Sequence, residues 1–312
     1  MSETGPVAQI TELARRLVPE GIKAKIRPRL GPTNEVVAPP AAATKWAASV
    51  GSPWDPSPTP AGDVVCNICH WSGASFAGAA HCEAANCPRC GSIARDRFLF
   101  FCMQQRIEPS LGCTTLETSP RMGDEYRSAM AGWFDYLCSD FDESMHKAMV
   151  RIDLQDIDLD DASIDLVLTP HVLEHVPDTG RALREIHRVL RPGGTMLLQV
   201  PVLQGRTAPP ATPEFHGDDT PVFWRFGYDL AAVLAEHGFD VHTLVTEEWA
   251  ELVASGTDRW DGDVSGEFDD VSMFSGTRGH EFEIVADREQ SRRFGFEPAY
   301  MFLTWECRKP SP

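Results

Sequence analysis

The stretch that decides the fold is "DLQDIDLDDASIDLVLTPHVLEHVPDTGRALREIHRVLRPGGTMLLQVP", residues 153–201. Its apolar run at 164–170 predicts a buried strand, and the segment 178–191 has the apolar spacing of an amphipathic helix. That apolar face consists of Ala182, Leu183, Ile186, Val189 and Leu190. We expect Gly193 and Gly194 to end the helix before a second strand at 195–201. Strand, helix and strand in this order indicate a parallel α/β sheet.

The same alternation continues on both sides of this stretch. An amphipathic helix is predicted at 227–239, and the further strand candidates are 114–118, 134–140, 240–246 and 299–308. Between the last two strands, residues 247–297 are acidic and irregular. The sequence therefore predicts an α/β domain over 106–312 that carries an acidic insertion at about 247–297.

Two shorter regions precede this domain. Residues 1–62 combine a short helical region with a Pro- and Ala-rich segment, which is typical of a linker, and its Trp46 and Trp54 can fix it to a folded surface. Residues 63–105 contain the cysteine cluster and form a separate predicted module.

Cys66 and Cys69 form one Cys-x2-Cys turn, and Cys87 and Cys90 form a second one 17 residues later. Two such turns at this separation are typical of a tetrahedral four-thiolate zinc site. A complete four-thiolate shell has no open coordination position, so we expect a structural rather than a catalytic zinc. His81 or Cys82 remains an alternative ligand for one position. The remaining cysteines 102, 113, 138 and 307 lie in apolar contexts typical of a core.

The block 153–201, with "LEHVPD…ALREIHRVLRPGG", resembles class I S-adenosylmethionine (SAM)-dependent methyltransferases. "CPRCGSIARDRFLFF" and "WRFGYDLAAVLAEHGFDV" are similar to a subgroup that joins an N-terminal zinc ribbon to this domain. The resemblance implies an α/β fold with a Rossmann-like class I methyltransferase sheet and a small N-terminal zinc-ribbon subdomain. It also implies SAM as the cofactor, bound at the carboxyl ends of the strands.

The resemblance further implies which residues hold the cofactor. Asp140, with Asp142 as the alternative, matches the residue that accepts hydrogen bonds from the ribose, and Asp153 matches the one that accepts from the adenine amino group. Leu154 would lie against the adenine ring. The remaining expected contacts are Glu117, Thr118, Ser119 and Thr169.

One departure from the family pattern occurs at residues 116–123, "LETSPRMG". The family has closely spaced glycines here, where the backbone approaches the methionine part of SAM, whereas this chain has only Gly123. The zinc-ribbon subgroup has a similar glycine-poor loop, and the hydroxyls of Thr118 and Ser119 can donate to the carboxylate instead. We therefore expect SAM binding to be retained, with Glu117 near the methionine amino end.

Methyl transfer from a sulfonium needs positioning and, for weak nucleophiles, a base. His171, directly after a strand, and His216, in the segment expected to line the acceptor pocket near Trp224 and Arg225, are the catalytic candidates. His175 is the weaker alternative. The acidic segment 247–297 is either a solvated surface insertion or a lid that favours a cationic acceptor.

The totals restrict the function further. The net charge of −18 argues against nucleic-acid binding, and no long apolar run or signal-peptide pattern is present, so we expect a cytoplasmic protein. The first hypothesis is a small-molecule methyltransferase of specialised biosynthesis. The alternatives are an RNA or protein methyltransferase that uses the zinc ribbon for recognition, and a non-catalytic binding protein. The acceptor and the oligomeric state stay open.

Overall fold

The computed structural model describes residues 62–78, 85–142, 148–204, 207–216, 219–227, 229–255, 282–296 and 303–312. Several sequence predictions fall outside these residues, namely the N-terminal segment up to residue 61, Trp46 and Trp54, and His81 and Cys82. Within the described residues, no helix is long and apolar enough to cross a membrane.

The N-terminal module consists of a small hairpin and one long helix. Strands β1 (Val64–Val65) and β2 (Ser72–Gly73) pair antiparallel, and α1 (Ala94–Arg106) follows the second cysteine turn. Most of α1 is buried, including Phe98, Cys102 and Met103. A helix this short and this apolar needs a larger surface to pack against, and the main sheet provides it.

Eight strands form that main sheet, in the order β13-β12-β14-β7-β6-β3-β4-β5. Their bounds are β3 (Thr114–Thr118), β4 (Asp135–Asp140), β5 (Val150–Arg151), β6 (Ile164–Pro170), β7 (Leu190–Gln199), β12 (Asp240–Thr246), β13 (Phe282–Ala286) and β14 (Thr304–Arg308). Strands β5, β4, β3, β6 and β7 run parallel, and β14 lies antiparallel between β7 and β12. The predicted α/β class and its Rossmann-like sheet are confirmed.

Helices and short strands connect the sheet. The helices are α2 (Asp124–Trp133), α3 (Thr179–Val189), α4 (Leu230–Glu236), α5 (Glu247–Ser255) and α6 (Arg288–Phe294), with a 3-10 turn at Leu173–His175. The short strands are β8 (Val202–Gln204), β9 (Glu214–Phe215), β10 (Pro221–Val222) and β11 (Phe226–Gly227). Helix α4 is shorter than the predicted 227–239, because Phe226 and Gly227 pair with β8 instead.

The boundary between α3 and β7 differs from the prediction. The helix ends at Val189 and the strand begins at Leu190, so the Pro-Gly-Gly segment belongs to the strand. Pro192 disfavours helical backbone at the residue before it. Gly193 donates to the carbonyl of Lys309, and Lys309 donates back to that of Gly194. These bonds extend the sheet where a helix end and loop were expected.

The segment 247–297 is less irregular than its sequence indicates. Its described ends form α5, β13 and α6, and β13 adds a parallel strand at the edge of the sheet beyond β12. Residues 256–281 lie outside the described residues. The described part of this segment therefore extends the sheet, at the edge farthest from β4 and β5.

One hydrophobic cluster joins the N-terminal module to the sheet. It includes Cys66 and Ile68 from the module together with Leu166, Leu168 and Leu197 from β6 and β7, all buried. Burial of apolar side chains contributes about 25 cal/mol per Å². The module thus packs directly on the sheet and shares its core.

Candidate active site and metal centre

The two cysteine turns have the same backbone geometry. The amide of His70 donates to the carbonyl of Cys66, four residues back, and the amide of Gly91 donates to that of Cys87 in the same way. In each turn the residue whose amide donates has a positive φ, 58° at His70 and 71° at Gly91. Each turn therefore closes tightly enough to direct both of its thiols to one side.

The four sulfur atoms meet at one point. The Sγ atoms of Cys66, Cys69, Cys87 and Cys90 all lie within 4.8 Å of one another. Cys66 and Cys90 are 3.6 Å apart and Cys69 and Cys87 are 3.5 Å apart. A tetrahedron with Zn–S bonds of about 2.3 Å has sulfur separations of about 3.8 Å. The predicted ligand set fits a four-thiolate zinc ion without rearrangement.

A buried cation lies beside this cluster. Arg97 is fully buried and donates to the backbone carbonyls of Ala85, Ser92, Phe294 and Gly295. Burial lowers the pKa of Arg97, and the charges of Cys66, Asp96 and the other cysteines partly offset this. Among the described residues no carboxylate is bonded to the guanidinium, so its charge would complement the negative charge that a zinc tetrathiolate carries.

A pocket lies where residues of α1 meet the carboxyl ends of β3 and β6. It holds about 520 Å³, part of it open to solvent. Arg95 and Asp96 form one side, and Ser119 and Pro170 form the other. The remaining lining is Ile68, Leu99, Phe100, Met103, Glu117, Arg121, Met122, Tyr126, Leu168 and His171. Both modules therefore build this pocket.

Glu117 is buried at the base of the pocket. Its two carboxylate oxygens accept hydrogen bonds from Tyr126 (3.3 Å) and Tyr136 (2.6 Å). Burial raises the pKa of Glu117 to about 7, and the two hydroxyls partly oppose this rise. The sequence did not indicate these tyrosine partners. The two bonds hold the Glu117 carboxylate near the end of β3, and its predicted place near the methionine amino end of SAM stays a prediction.

The three other predicted residues at these strand ends differ in exposure to the pocket. Ser119 lines the pocket with φ +46°, and its amide donates to the carbonyl of Ser139 on β4 at 2.7 Å. Thr118 is buried and donates to the carbonyl of Leu168. Thr169 is buried, and its hydroxyl has no hydrogen-bond partner among the described residues. A left-handed residue is present where the family has glycine, but it is a serine.

Asp140, Asp153 and Leu154 lie at or just after the ends of β4 and β5, and none of them is among the residues that line the pocket. The amide of Ile152 donates to the carbonyl of Asp140 at 3.0 Å, which brings the two segments together. Asp140 accepts from the amide of Asp142, and Asp153 accepts from that of Gln155, both at 2.9 Å. Each bond fixes its carboxylate at the turn that follows. Leu154 is buried.

His171 and His216 belong to one cluster of titratable groups. His171 lines the pocket, and its Nδ1 lies 3.7 Å from Oε1 of Glu174. Nε2 of His175 lies 3.9 Å from the same oxygen, and the His175 and His216 rings are 4.7 Å apart, edge to face. His216 is placed by the hairpin of β9 and β10. Sequence reasoning missed Glu174, although its position one helical turn after His171 is a signal that could have identified it.

Comparison with known families identifies a family that resembles the strands whose ends meet at the pocket. Residues 111–198 match the family model described as "Methyltransferase domain". This part of the chain therefore resembles a methyltransferase domain. The match supports a SAM-dependent methyltransferase, and it contains Glu117, Ser119, Asp140 and His171.

Relatives of the methyltransferase domain are distant. An uncharacterised 37.1 kDa protein in transposon TN4556 of Streptomyces fradiae is 47% identical over 49 residues, which cover 16% of this chain and 14% of that protein. A putative methyltransferase from Bacillus halodurans is 14% identical, covering 69% of this chain and 100% of that one, with a TM-score of 0.38. Burkholderia thailandensis 1,6-didemethyltoxoflavin-N1-methyltransferase, solved with S-adenosylhomocysteine, is also 14% identical, covering 70% and 79%, with a TM-score of 0.41.

Proposed function

We propose that this chain transfers a methyl group from SAM to a small-molecule acceptor in a biosynthetic reaction, and that its four-cysteine site holds a structural zinc. The observation that carries the proposal is the grouping of Ser119, Asp140, Asp153 and His171 at the carboxyl ends of β3, β4, β5 and β6, inside the region that matches the methyltransferase family. Open α/β sheets bind ligands at this end of their strands.

The polar groups around this cleft fit the parts of SAM. Asp140 would accept from the ribose hydroxyls and Asp153 from the adenine amino group, with Leu154 against the ring. Ser119 would lie near the methionine end, where Arg95 and Arg121 supply positive charge for its carboxylate. When bound, SAM supplies an electrophilic methyl group on a sulfonium. The residues of the chain bind and orient the reactants and exclude water.

The acceptor is proposed to be a small molecule because the pocket is a covered cleft and the chain is acidic. The net charge of −18 opposes association with a polyanion. An RNA acceptor would instead produce salt-dependent binding to polynucleotide. A filter-binding titration against a mixed RNA pool at low salt distinguishes the two, and tight binding there would overturn the small-molecule assignment.

Calorimetric titration of S-adenosylhomocysteine into the zinc-loaded protein tests cofactor binding. We expect micromolar binding, reduced at least tenfold in Asp140→Ala because the ribose loses a charged hydrogen-bond acceptor, worth about 1.5–3 kcal/mol. Asp158→Ala is the matched control, since Asp158 is exposed. No binding by the folded wild type would identify a non-catalytic protein that kept the fold.

A further inference from the structure

Two neighbouring buried titratable side chains lack hydrogen-bond partners, and one of them, His171, lines the pocket. Within the described residues, neither ring nitrogen of His171 and neither carboxylate oxygen of Glu174 has one. Their side chains are only 9% and 3% exposed. An unsatisfied buried polar group costs about 1–3 kcal/mol. A pair that retains this cost beside a pocket points to a functional site.

The backbone at His171 also departs from ordinary geometry. Its φ is +52°, in the left-handed region, and its amide donates to the carbonyl of Gln199 at 2.7 Å. Such strained positions cost about 1–3 kcal/mol and cluster at active sites. The strain places the imidazole between the pocket and Glu174.

A second histidine defines how protons are arranged around Glu174. Nδ1 of His175 lies 2.8 Å from the carbonyl oxygen of Pro221, and since a carbonyl only accepts, Nδ1 carries a proton. In the neutral ring, Nε2 of His175 then presents a lone pair toward Oε1 of Glu174 at 3.9 Å. The same oxygen faces Nδ1 of His171 at 3.7 Å. Oε1 of Glu174 therefore lies within 3.9 Å of two imidazole nitrogens without a hydrogen bond to either in this structure.

Resting on the proposed function, we propose that His171 is the base that deprotonates the acceptor and that Glu174 positions it. When Glu174 is ionised, its carboxylate, 3.7 Å from Nδ1 of His171, would favour the tautomer with the proton on Nδ1, which leaves Nε2 basic. The bond between the acceptor's nucleophilic atom and its proton breaks, its electron pair stays on the acceptor, and the proton forms a new bond to Nε2. The imidazolium charge is balanced by Glu174. The acceptor is then a compound whose nucleophilic atom carries a proton, such as a hydroxyl.

The groups around the pair set its pH dependence. Arg95 from α1, Arg121 from the loop after β3, His175 from the 3-10 turn and His216 from the hairpin all act on His171. Burial raises the pKa of Glu174 to about 8 and lowers the pKa of His171 well below its ordinary value. Glu174 therefore becomes a carboxylate as the pH rises through about 8, and the base is fully competent above that pH.

NMR of protein labelled with ¹⁵N-histidine tests the pair without an acceptor. The His171 signals, assigned by their loss in His171→Asn, are followed between about pH 6 and pH 10. We expect an inflection near pH 8 in the wild type, its loss in Glu174→Gln, and its retention in Glu289→Gln, whose side chain is exposed. Glu174→Asp, which keeps a carboxylate but moves it away, should shift the midpoint.

Parallel titration with S-adenosylhomocysteine separates the two levels of the proposal. Wild-type His171 signals that stay flat around pH 8 while the cofactor product still binds would overturn the pair and leave the proposed function standing. An inflection at that pH in a protein that binds no S-adenosylhomocysteine would contradict the proposed function but not the coupling. An inflection that persists in Glu174→Gln would assign the titration to another group and overturn the role of Glu174.

Discussion

Ser119 shows how one residue substitutes for a missing glycine. Its φ of +46° lies in the left-handed region that glycine adopts without cost and that other residues adopt at about 1–2 kcal/mol. The chain accepts this cost directly after β3, beside the pocket. The glycine-poor loop therefore keeps the backbone path that a glycine would give and adds a hydroxyl to it.

This strain can be measured by substitution. Ser119→Gly should change the free energy of unfolding by less than about 1 kcal/mol, because relief of strain offsets the greater freedom of the unfolded chain. Ser119→Val should lower it by about 1–3 kcal/mol, because a β-branched residue is disfavoured at positive φ. Urea denaturation measures both. Equal stability of the Val variant and the wild type would show that the loop adopts another conformation.

Glu117 should make stability depend on pH. Its pKa is raised to about 7 from 4.5, so the folded state holds a proton that the unfolded state releases. Between these values, folding stability falls as pH rises, and above about pH 7 the loss is complete, at about 3 kcal/mol. Glu117→Gln, which cannot ionise, should gain stability over the wild type between pH 5 and pH 8.

Thermal unfolding of the wild type, of Glu117→Gln and of the control Glu289→Gln at pH 5 and pH 8 measures this gain in stability. Glu174 also makes stability fall as pH rises, and it does so in all three proteins, because its pKa is raised as well. Only the difference between variant and wild type is therefore informative. A difference that stays constant from pH 5 to pH 8 would contradict a raised pKa of Glu117.

At the scale of elements, the second cysteine turn and α1 form one continuous unit. Ser92 comes two residues after Cys90, and its hydroxyl lies 3.3 Å from Sγ of Cys90. The amide of Ile93 donates to the carboxylate of Asp96 in the first turn of the helix. The position of the thiols thus fixes where the helix begins. Since α1 carries Arg95 into the pocket lining, the geometry of the cysteine cluster also affects one side of the pocket.

Removal of one thiol should remove the metal. Cys90→Ser should lose bound zinc, measured by elemental analysis at one equivalent per wild-type chain, and should melt at a lower temperature. The metal contributes to folding free energy, so the loss extends to α1. Cys113→Ser is the control, because Cys113 lies in the sheet domain and outside the four-sulfur cluster. Full zinc occupancy in Cys90→Ser would exclude Cys90 as a ligand.

The helices and strands were predictable where the apolar pattern of the sequence matches the burial of the element in the fold. The strands β3, β4, β6 and β12 are buried apolar runs, and the sequence located them closely. The start of β7 was not predictable, because Leu190 is strand through its pairing with Ile164 of β6, and Gly193 and Gly194 bond to Lys309, more than a hundred residues away. For the same reason the edge strand β13, which pairs only with β12 in the described part of the chain, was taken as irregular.

Some features of the candidate site were likewise predictable from the sequence, and others were not. The four cysteines and the aspartates at strand ends follow from spacing and from family resemblance, and the structure groups each set together. The tyrosine partners of Glu117 and the side of the pocket formed by α1 depend on packing between separate elements. No local pattern in the sequence encodes those contacts.

At the scale of the whole molecule, Arg97 and Gly295 join the N-terminal module to the C-terminal part of the chain. Arg97 lies 3.8 Å from the ring centroid of Phe76 and donates to the carbonyls of Phe294 and Gly295. Gly295 ends α6 with φ +67°, and a Cβ atom there would lie 2.5 Å from the Phe76 ring. Only glycine allows this approach.

Gly295→Ala should therefore weaken the packing of the N-terminal module against the C-terminal part of the chain. We expect a loss of about 2–4 kcal/mol from backbone strain and overpacking against Phe76. Gly132→Ala is the matched control, because Gly132 is helical with open space around it and should become slightly more stable. Calorimetric scans compare the two. A Gly295→Ala protein as stable as the wild type would show that this contact does not hold the modules together.

The shared pocket has a consequence for how such a protein is inherited and engineered. The family match begins at residue 111, whereas Ile68, Arg95 and Asp96 of the pocket lie before it. A gene fusion or truncation made at the start of the matched region would keep most of the sheet and delete the part of the pocket lining that precedes it. Any exchange of the pocket between proteins therefore has to move both parts of the chain together.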